Sequence, residues 1–305
     1  MNEPTAMFRP RVLAIIHNPI VDPGRGTKLS QALGWNDPDQ LARDYVRAVH
    51  QSSHGLVEYQ LAERIEVDGF PAKIDGFRYT VEAYRRCWQQ RRGFHQPDAV
   101  DYLALLREFD VIAKIDSGAI DEVWLFGFPY AGYYESTMCG PAAFWCNSPP
   151  VIGTQHARRR FVIMGFNYER GGDCMLEDLG HRAESVLAQV YADRRGAANL
   201  WQHFSRYNQI APGQASVGNM HFAPNSERDY DWGNPRRVLS DCDDWLNFPH
   251  LRGARRLVNC DDWGGGDMRR HHRWWCERLP HVEGDTGGIL NNWWTYIIDP
   301  NTVTP

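Results

Sequence analysis

The chain lacks any apolar run of about 20 residues, the length a bilayer-spanning helix needs, so no membrane partner is expected from this stretch of sequence. It lacks a C-x-x-C pair, which excludes a zinc knuckle and a thioredoxin-like centre. It lacks a nucleotide fingerprint. Gly24-x-Gly26 follows an apolar run without a third glycine, and no G-x-x-x-x-G-K-S/T string is present, so no nucleotide cofactor is expected. It is short of positive charge, with a formal net charge of −5. Nonspecific nucleic-acid binding needs a basic face, and no nucleic-acid partner is expected. Lysine is scarce: Lys28, Lys73 and Lys114 are the only three, and the remaining cations are arginines.

The chain does have 305 residues, 43% hydrophobic and 23% charged, the balance of a globular protein with one large domain or two small ones. It is rich in tryptophan, with 12. Indole faces stack on sugar rings, and they also fill cores. The seven cysteines are an odd number, so at least one thiol is free or pairs between chains. Cys139/Cys146 and Cys242/Cys260 are candidate disulfides.

Hydrophobic periodicity predicts strands over 12–21, 56–67, 120–127 and 161–166. It predicts helices over 38–50, 81–90, 99–115, 175–192 and 197–207, with weaker strands at 217–222 and 256–258. The run Val12–Ile16 follows arginines as a signal peptide would, but no small-residue cleavage site follows it, so it reads as the first strand. Strands alternating with helices give the expected fold, α/β with a mostly parallel sheet. The expected organisation is a loose tail over 1–10, a core domain over 11–225 and a loop-rich cap over 226–305. In that last section the string CDDW occurs twice, from Cys242 and from Cys260, as paired turns around a disulfide would.

The segment Phe161–Glu184 concentrates the chemistry. An apolar run ends in Asn167-Tyr168-Glu169-Arg170-Gly171-Gly172, and a helix carrying Glu177, Asp178, His181 and Glu184 follows. Strand, glycine turn and helix place reactive groups at the carboxyl ends of strands. Glu169 and Glu135, each just past a strand, form a candidate carboxylate pair for glycoside hydrolysis, where one group protonates the leaving oxygen and the other attacks or activates water. Glu177, Asp178 and His181 join them as tuning or direct participants. Asn167, Tyr134, Trp145, Asn225 and His272 are the candidate substrate contacts, by hydrogen bonding or by stacking.

A metal is the alternative. Glu177, His181 and Glu184 sit at i, i+4 and i+7, one helix face. His181 and Glu184 form an H-x-x-E pair, with His221 as the third ligand of a zinc hydrolase or peptidase. The bland reading of the same residues is a set of surface ion pairs with Arg170, Arg182 or His181. Asp241, Asp243 and Asp244 present a calcium-like cluster without the downstream glutamate of an EF-hand. Cys139 as a nucleophile has no signature around it.

The strings GFNYERGGDCMLEDLGHRAES, AGYYESTMCGPAAFWCNSPP and HHRWWCERLPH resemble uncharacterised bacterial proteins, some of them secreted and joined to carbohydrate-binding modules. The resemblance spans most of the chain and carries no catalytic assignment. It implies export, by a leader not in this chain, and a polysaccharide or other small polar partner. The expectation is therefore a carbohydrate-directed hydrolase with no cofactor or with a divalent metal, zinc or calcium. A noncatalytic carbohydrate-binding protein is the third reading.

Overall fold

The structure, a computed structural model, describes residues 7–304. Its contacts divide the chain into two compact units. The first, a sheet unit, comprises Arg9–Tyr45 and Tyr59–Asp178. The second, a tryptophan-rich unit, comprises Val46–Glu58 and the chain from Leu179 onward, with Phe8. Residues 179–225, which the sequence reading placed with the core, therefore group with the C-terminal section. Of the expected tail, 1–6 lies outside the described residues. Phe8 is tied down by a parallel bridge to Val57, its N–H donating to Leu56 O at 2.7 Å.

The sheet unit has the expected α/β architecture. Its strands are β1 (Arg11–His17), β2 (Gln60–Val67), β3 (Glu122–Gly127), β4 (Ser136–Cys139) and β5 (Phe161–Asn167), in the order β2-β1-β3-β5-β4. The first four in that order are parallel, and β4 closes the edge antiparallel to β5, with Ser136 opposite Met164. The sequence reading missed β4 because four residues set among glycines and prolines show no alternation; its partner strand, not its own pattern, makes it a strand.

Both faces of the sheet are covered, which is why β1, β3 and β5 read as continuous apolar runs. On one face Leu13, Ile15, Val123, Leu125 and Ile163 pack with Leu105 and Leu106 of α3 (Tyr102–Glu108) and Val111 and Ile115 of α4 (Val111–Asp116). On the other, Tyr45 of α1 (Pro38–Ser52) meets Trp124 and Phe166, each at a ring distance of 5.1 Å. Such edge-to-face pairs add about 0.5–1.5 kcal/mol each beyond area burial. The helix α2 (Val81–Gln90) has the bounds its periodicity predicts. The helix predicted over 99–115 is instead two, α3 and α4, because Asp110 between them adopts a left-handed φ of 52°. Aspartate tolerates that conformation better than most residues.

The scarce lysines have identifiable work. Lys28 pairs with Glu66, and Lys114 with Glu63 at 2.6 Å, placing charges along the edge strand β2 that deter strand addition. Lys73 is buried, with Nζ 2.5 Å from Asp98 Oδ1 and 2.7 Å from Tyr130 O, and burial lowers its pKa.

A parallel sheet of this kind admits ligands at the carboxyl ends of neighbouring strands whose connections diverge, here β1 and β3. Side chains fill that position. The Tyr133 hydroxyl lies 2.7 Å from Nδ1 of the buried His17, whose pKa burial and then Arg78 lower to about 4. The remaining cavity is about 10 Å³, room for one water.

The tryptophan-rich unit has its own core. Trp201, Phe204, Trp245, Trp275 and Trp293 stack and cross at ring distances of 5.1–6.3 Å. The two CDDW copies each form a buried-tryptophan turn. Trp245 donates to Ser216 Oγ at 2.7 Å and Trp263 to Trp232 O at 2.8 Å. Arg256 joins the copies, bonding Asp243 at 2.5 Å and Asp262 at 2.6 Å. No disulfide does so; all seven cysteines are free thiols, which corrects both candidate pairings. Cys139 is buried, and burial pushes its thiol pKa well up, against a nucleophile's role. Among the described residues no helix is long and apolar enough to cross a membrane.

Candidate metal centre

The residues expected to form one site come from several segments of the chain. At the rim of the sheet unit, the Glu135 carboxylate accepts from Asn147 Nδ2 at 2.5 Å, and Glu169 lies 3.7 Å from Arg170. Each carboxylate of the expected pair thus has its own neighbour. Asn167 Oδ1 accepts the Glu169 N–H at 2.9 Å, which is turn chemistry. Tyr134 and Trp145 are exposed, at 45% and 59%.

Two expected substrate contacts are corrected by burial. Asn225 is wholly buried, and its amide donates to Asn234 O at 2.8 Å and Arg236 O at 2.6 Å, so it braces a loop. His272 is also wholly buried, its ring 5.0 Å from Trp232. It belongs to a helix, Met268–Cys276, whose His271, His272, Trp274 and Trp275 point inward. The acidic cluster is spent internally. Asp241 pairs with His203 at 2.8 Å, Asp243 with Arg256 and Arg278, and Asp244 accepts the N–H groups of Arg252 and Gly253 at 2.7 Å.

What the fold does bring together is His181 and His221. His181 lies on α5 (Gly172–Val190), whose Leu179, Ala183, Val186 and Leu187 are buried along the apolar stripe. His221 comes from a turn 40 residues later, in place of the strand expected at 217–222. Asn219 builds that turn, its Oδ1 accepting the N–H groups of His221 at 3.0 Å and Phe222 at 2.9 Å. Two glycines let the turn press on the helix. Gly218 has φ +87°, and a Cβ there would fall 2.1 Å from Phe222 O; a Cβ on Gly180 would fall 2.2 Å from Met220 Sδ.

The docked rings face each other with Nε2 of His181 3.0 Å from Nε2 of His221. Each ring's other nitrogen meets a carboxylate. His181 Nδ1 is 2.9 Å from Glu184 Oε2, and His221 Nδ1 is 2.9 Å from Asp229 Oδ1. An ionised carboxylate only accepts, so each Nδ1 carries hydrogen, and where the rings are neutral each Nε2 presents a lone pair. Two lone pairs at 3.0 Å repel unless a proton or a cation lies between them. A carboxylate behind each imidazole is the arrangement that orients histidine ligands and raises their basicity. Glu184 therefore stands on the far side of His181 from the meeting point. Its Oε1 also accepts the Met220 N–H at 2.8 Å, clamping turn to helix.

Glu177 is the carboxylate that completes a group of three. Glu177 is one turn before His181 on α5. One ligand atom each from Glu177, His181 and His221 lies within 4.8 Å of the others, the one such set of three among the described residues. The spacing i, i+4 made this choice available in the sequence, but nothing in the spacing ranked Glu177 above Glu184. Asp229 and Tyr230 were missed altogether, since they lie in a polar turn with no periodic signal. Exchanging Glu184 for Gln or Asp229 for Asn is expected to weaken zinc binding by about 10–100-fold while the fold persists, measured by competition titration with a chromophoric chelator.

Comparison with models of protein families, with curated proteins and with solved structures gives no match to this chain.

Proposed function

We propose that the protein is a divalent-metal-dependent hydrolase of the zinc class, with Glu177, His181 and His221 as ligands. The observation that carries the reading is the pair of imidazole Nε2 atoms 3.0 Å apart, each ring backed by a carboxylate. Two histidines and one carboxylate are the protein share of a catalytic zinc site, which keeps its fourth position open. Zinc held there would lower the pKa of a coordinated water and polarise a substrate oxygen. The chain's own part is to hold both imidazoles with Nε2 inward and to present the site to solvent, His221 being 29% exposed at its side chain.

A second reading, sugar contact without catalysis, is favoured by Tyr134 and Trp145 standing exposed beside Glu135 and Asn147. Polysaccharide as substrate, and export, belong to the same proposal and rest on the resemblance of the sequence strings.

Titration of the metal-free protein with zinc tests the first reading. The expected result is one equivalent bound, with a dissociation constant in the micromolar range or tighter, and a rise in thermal stability that a chelator reverses, since a ligand that binds the folded state stabilises it. Absence of stoichiometric binding of zinc, cobalt or manganese would overturn it. Glycan binding that survives chelation would then favour the second.

A further inference from the structure

We infer that Tyr230 supplies the hydrogen-bond donor to whatever oxygen ligand takes the open side of the proposed metal centre, and that an acyl oxygen (a carbonyl or hydroxamate) is the ligand class it fits. The inference rests on the metal reading above and goes beyond it.

Three observations carry it. First, the Tyr230 hydroxyl is 3.2 Å from His221 Nε2, the atom that faces His181. A cation about 2.0–2.1 Å from that nitrogen lies no more than about 5 Å from the phenol oxygen. Within that reach one oxygen atom can touch both, about 2 Å from the cation and about 2.7 Å from the phenol. Second, Tyr230 is held in a left-handed conformation at φ +58°. That costs a bulky residue about 1–2 kcal/mol and persists only where the surroundings dictate it. Here its N–H donates to His221 O at 3.2 Å, its ring lies 4.4 Å from His221, and Trp232 lies 5.2 Å behind. The turn spends strain to keep this phenol on this imidazole. Third, Tyr230 is 53% exposed, so the hydroxyl stands where a ligand would arrive from solvent.

The chemistry selects the ligand class. A neutral phenol donates one hydrogen bond and brings no positive charge. Three acids, Glu227, Asp229 and Asp231, stand in the same turn against one cation, Arg228, which leans on Asp231 at 3.8 Å; Asp229 is on His221 and Glu227 pairs with Arg236 at 3.0 Å. This environment favours an oxygen of modest charge over a phosphate dianion.

The test uses the full chain loaded with cobalt(II), whose visible spectrum reports coordination, and acetohydroxamate as the probe. Tyr230→Phe keeps the ring and removes only the hydroxyl. The expected result is unchanged cobalt affinity and an unchanged ligand-free spectrum, with acetohydroxamate binding weakened about 10-fold, the equivalent of one hydrogen bond of about 1.4 kcal/mol. Equal acetohydroxamate affinity in both proteins overturns the inference and leaves the metal reading standing. Loss of cobalt affinity in Tyr230→Phe also overturns it, because the phenol would then be a ligand. Failure of the unaltered protein to bind cobalt removes the metal reading itself. A matching thermal melt for the two proteins shows that the variant is folded.

Discussion

Replacing His181 or His221 with alanine is expected to lower zinc affinity by about 100-fold or more, whereas neither change should unfold the chain. In the proposed site each histidine is one of three protein ligands; structural zinc sites draw roughly 10–16 kcal/mol in total, so one ligand is worth several kcal/mol. The structural cost is smaller. His181 and His221 are partly exposed at 14% and 29% of their side chains, so truncation opens no deep cavity. The two losses should not add. Once one imidazole is gone the other faces no second ligand, so the double variant should bind zinc scarcely more weakly than either single one. Isothermal titration at fixed pH measures all three. Zinc affinity that is unaltered in both single variants would refute the assignment.

Gly218→Ala is expected to destabilise the protein by about 2–4 kcal/mol and to weaken zinc binding along with it. Two costs coincide at this position. The left-handed φ of +87° strains any residue with a Cβ, and that Cβ would sit 2.1 Å from a backbone oxygen of Phe222, a contact that only movement of the turn relieves. Movement of the turn carries His221 away from His181. Gly213→Ala is the control. It also has a left-handed φ, +70°, but nothing lies within 4 Å of the added carbon, so it should cost only about 1–2 kcal/mol of backbone strain and leave zinc affinity unchanged. Denaturant melts followed by tryptophan fluorescence measure both. Two compact units need not melt together, so the transition sensed by the tryptophan-rich unit is the relevant one.

Much of the fold could be read from the chain. Apolar runs such as Phe161–Met164 are long enough for a strand buried on both faces and too short for a helix, and the structure uses them so. The amphipathic pattern of Val81–Gln90 predicted the helix that forms, and the structure adds its cap, Thr80 accepting the Ala83 N–H. Less was legible after Asn225. The tryptophans there carry no period because they are gathered from turns and short helices, and only their packing reveals a core. The carboxylate pair Glu135 and Glu169 shows a different limit of sequence reading. Both residues do follow sheet strands, yet sequence position cannot tell which neighbour a flexible side chain will take, and Asn147 and Arg170 stand nearest.

By itself the sequence determined the parallel α/β sheet and the helical face on which Glu177, His181 and Glu184 share one stripe, because both depend on short-range periodicity. Only the tertiary structure decided which nitrogen of His181 meets Glu184 and which meets His221. That choice depends on a turn 40 residues away, seated against the missing side chain of Gly180, and on Asp229 and Tyr230 arriving with it. Long-range docking of this kind follows from shape and close packing, which leave no periodic trace in the chain.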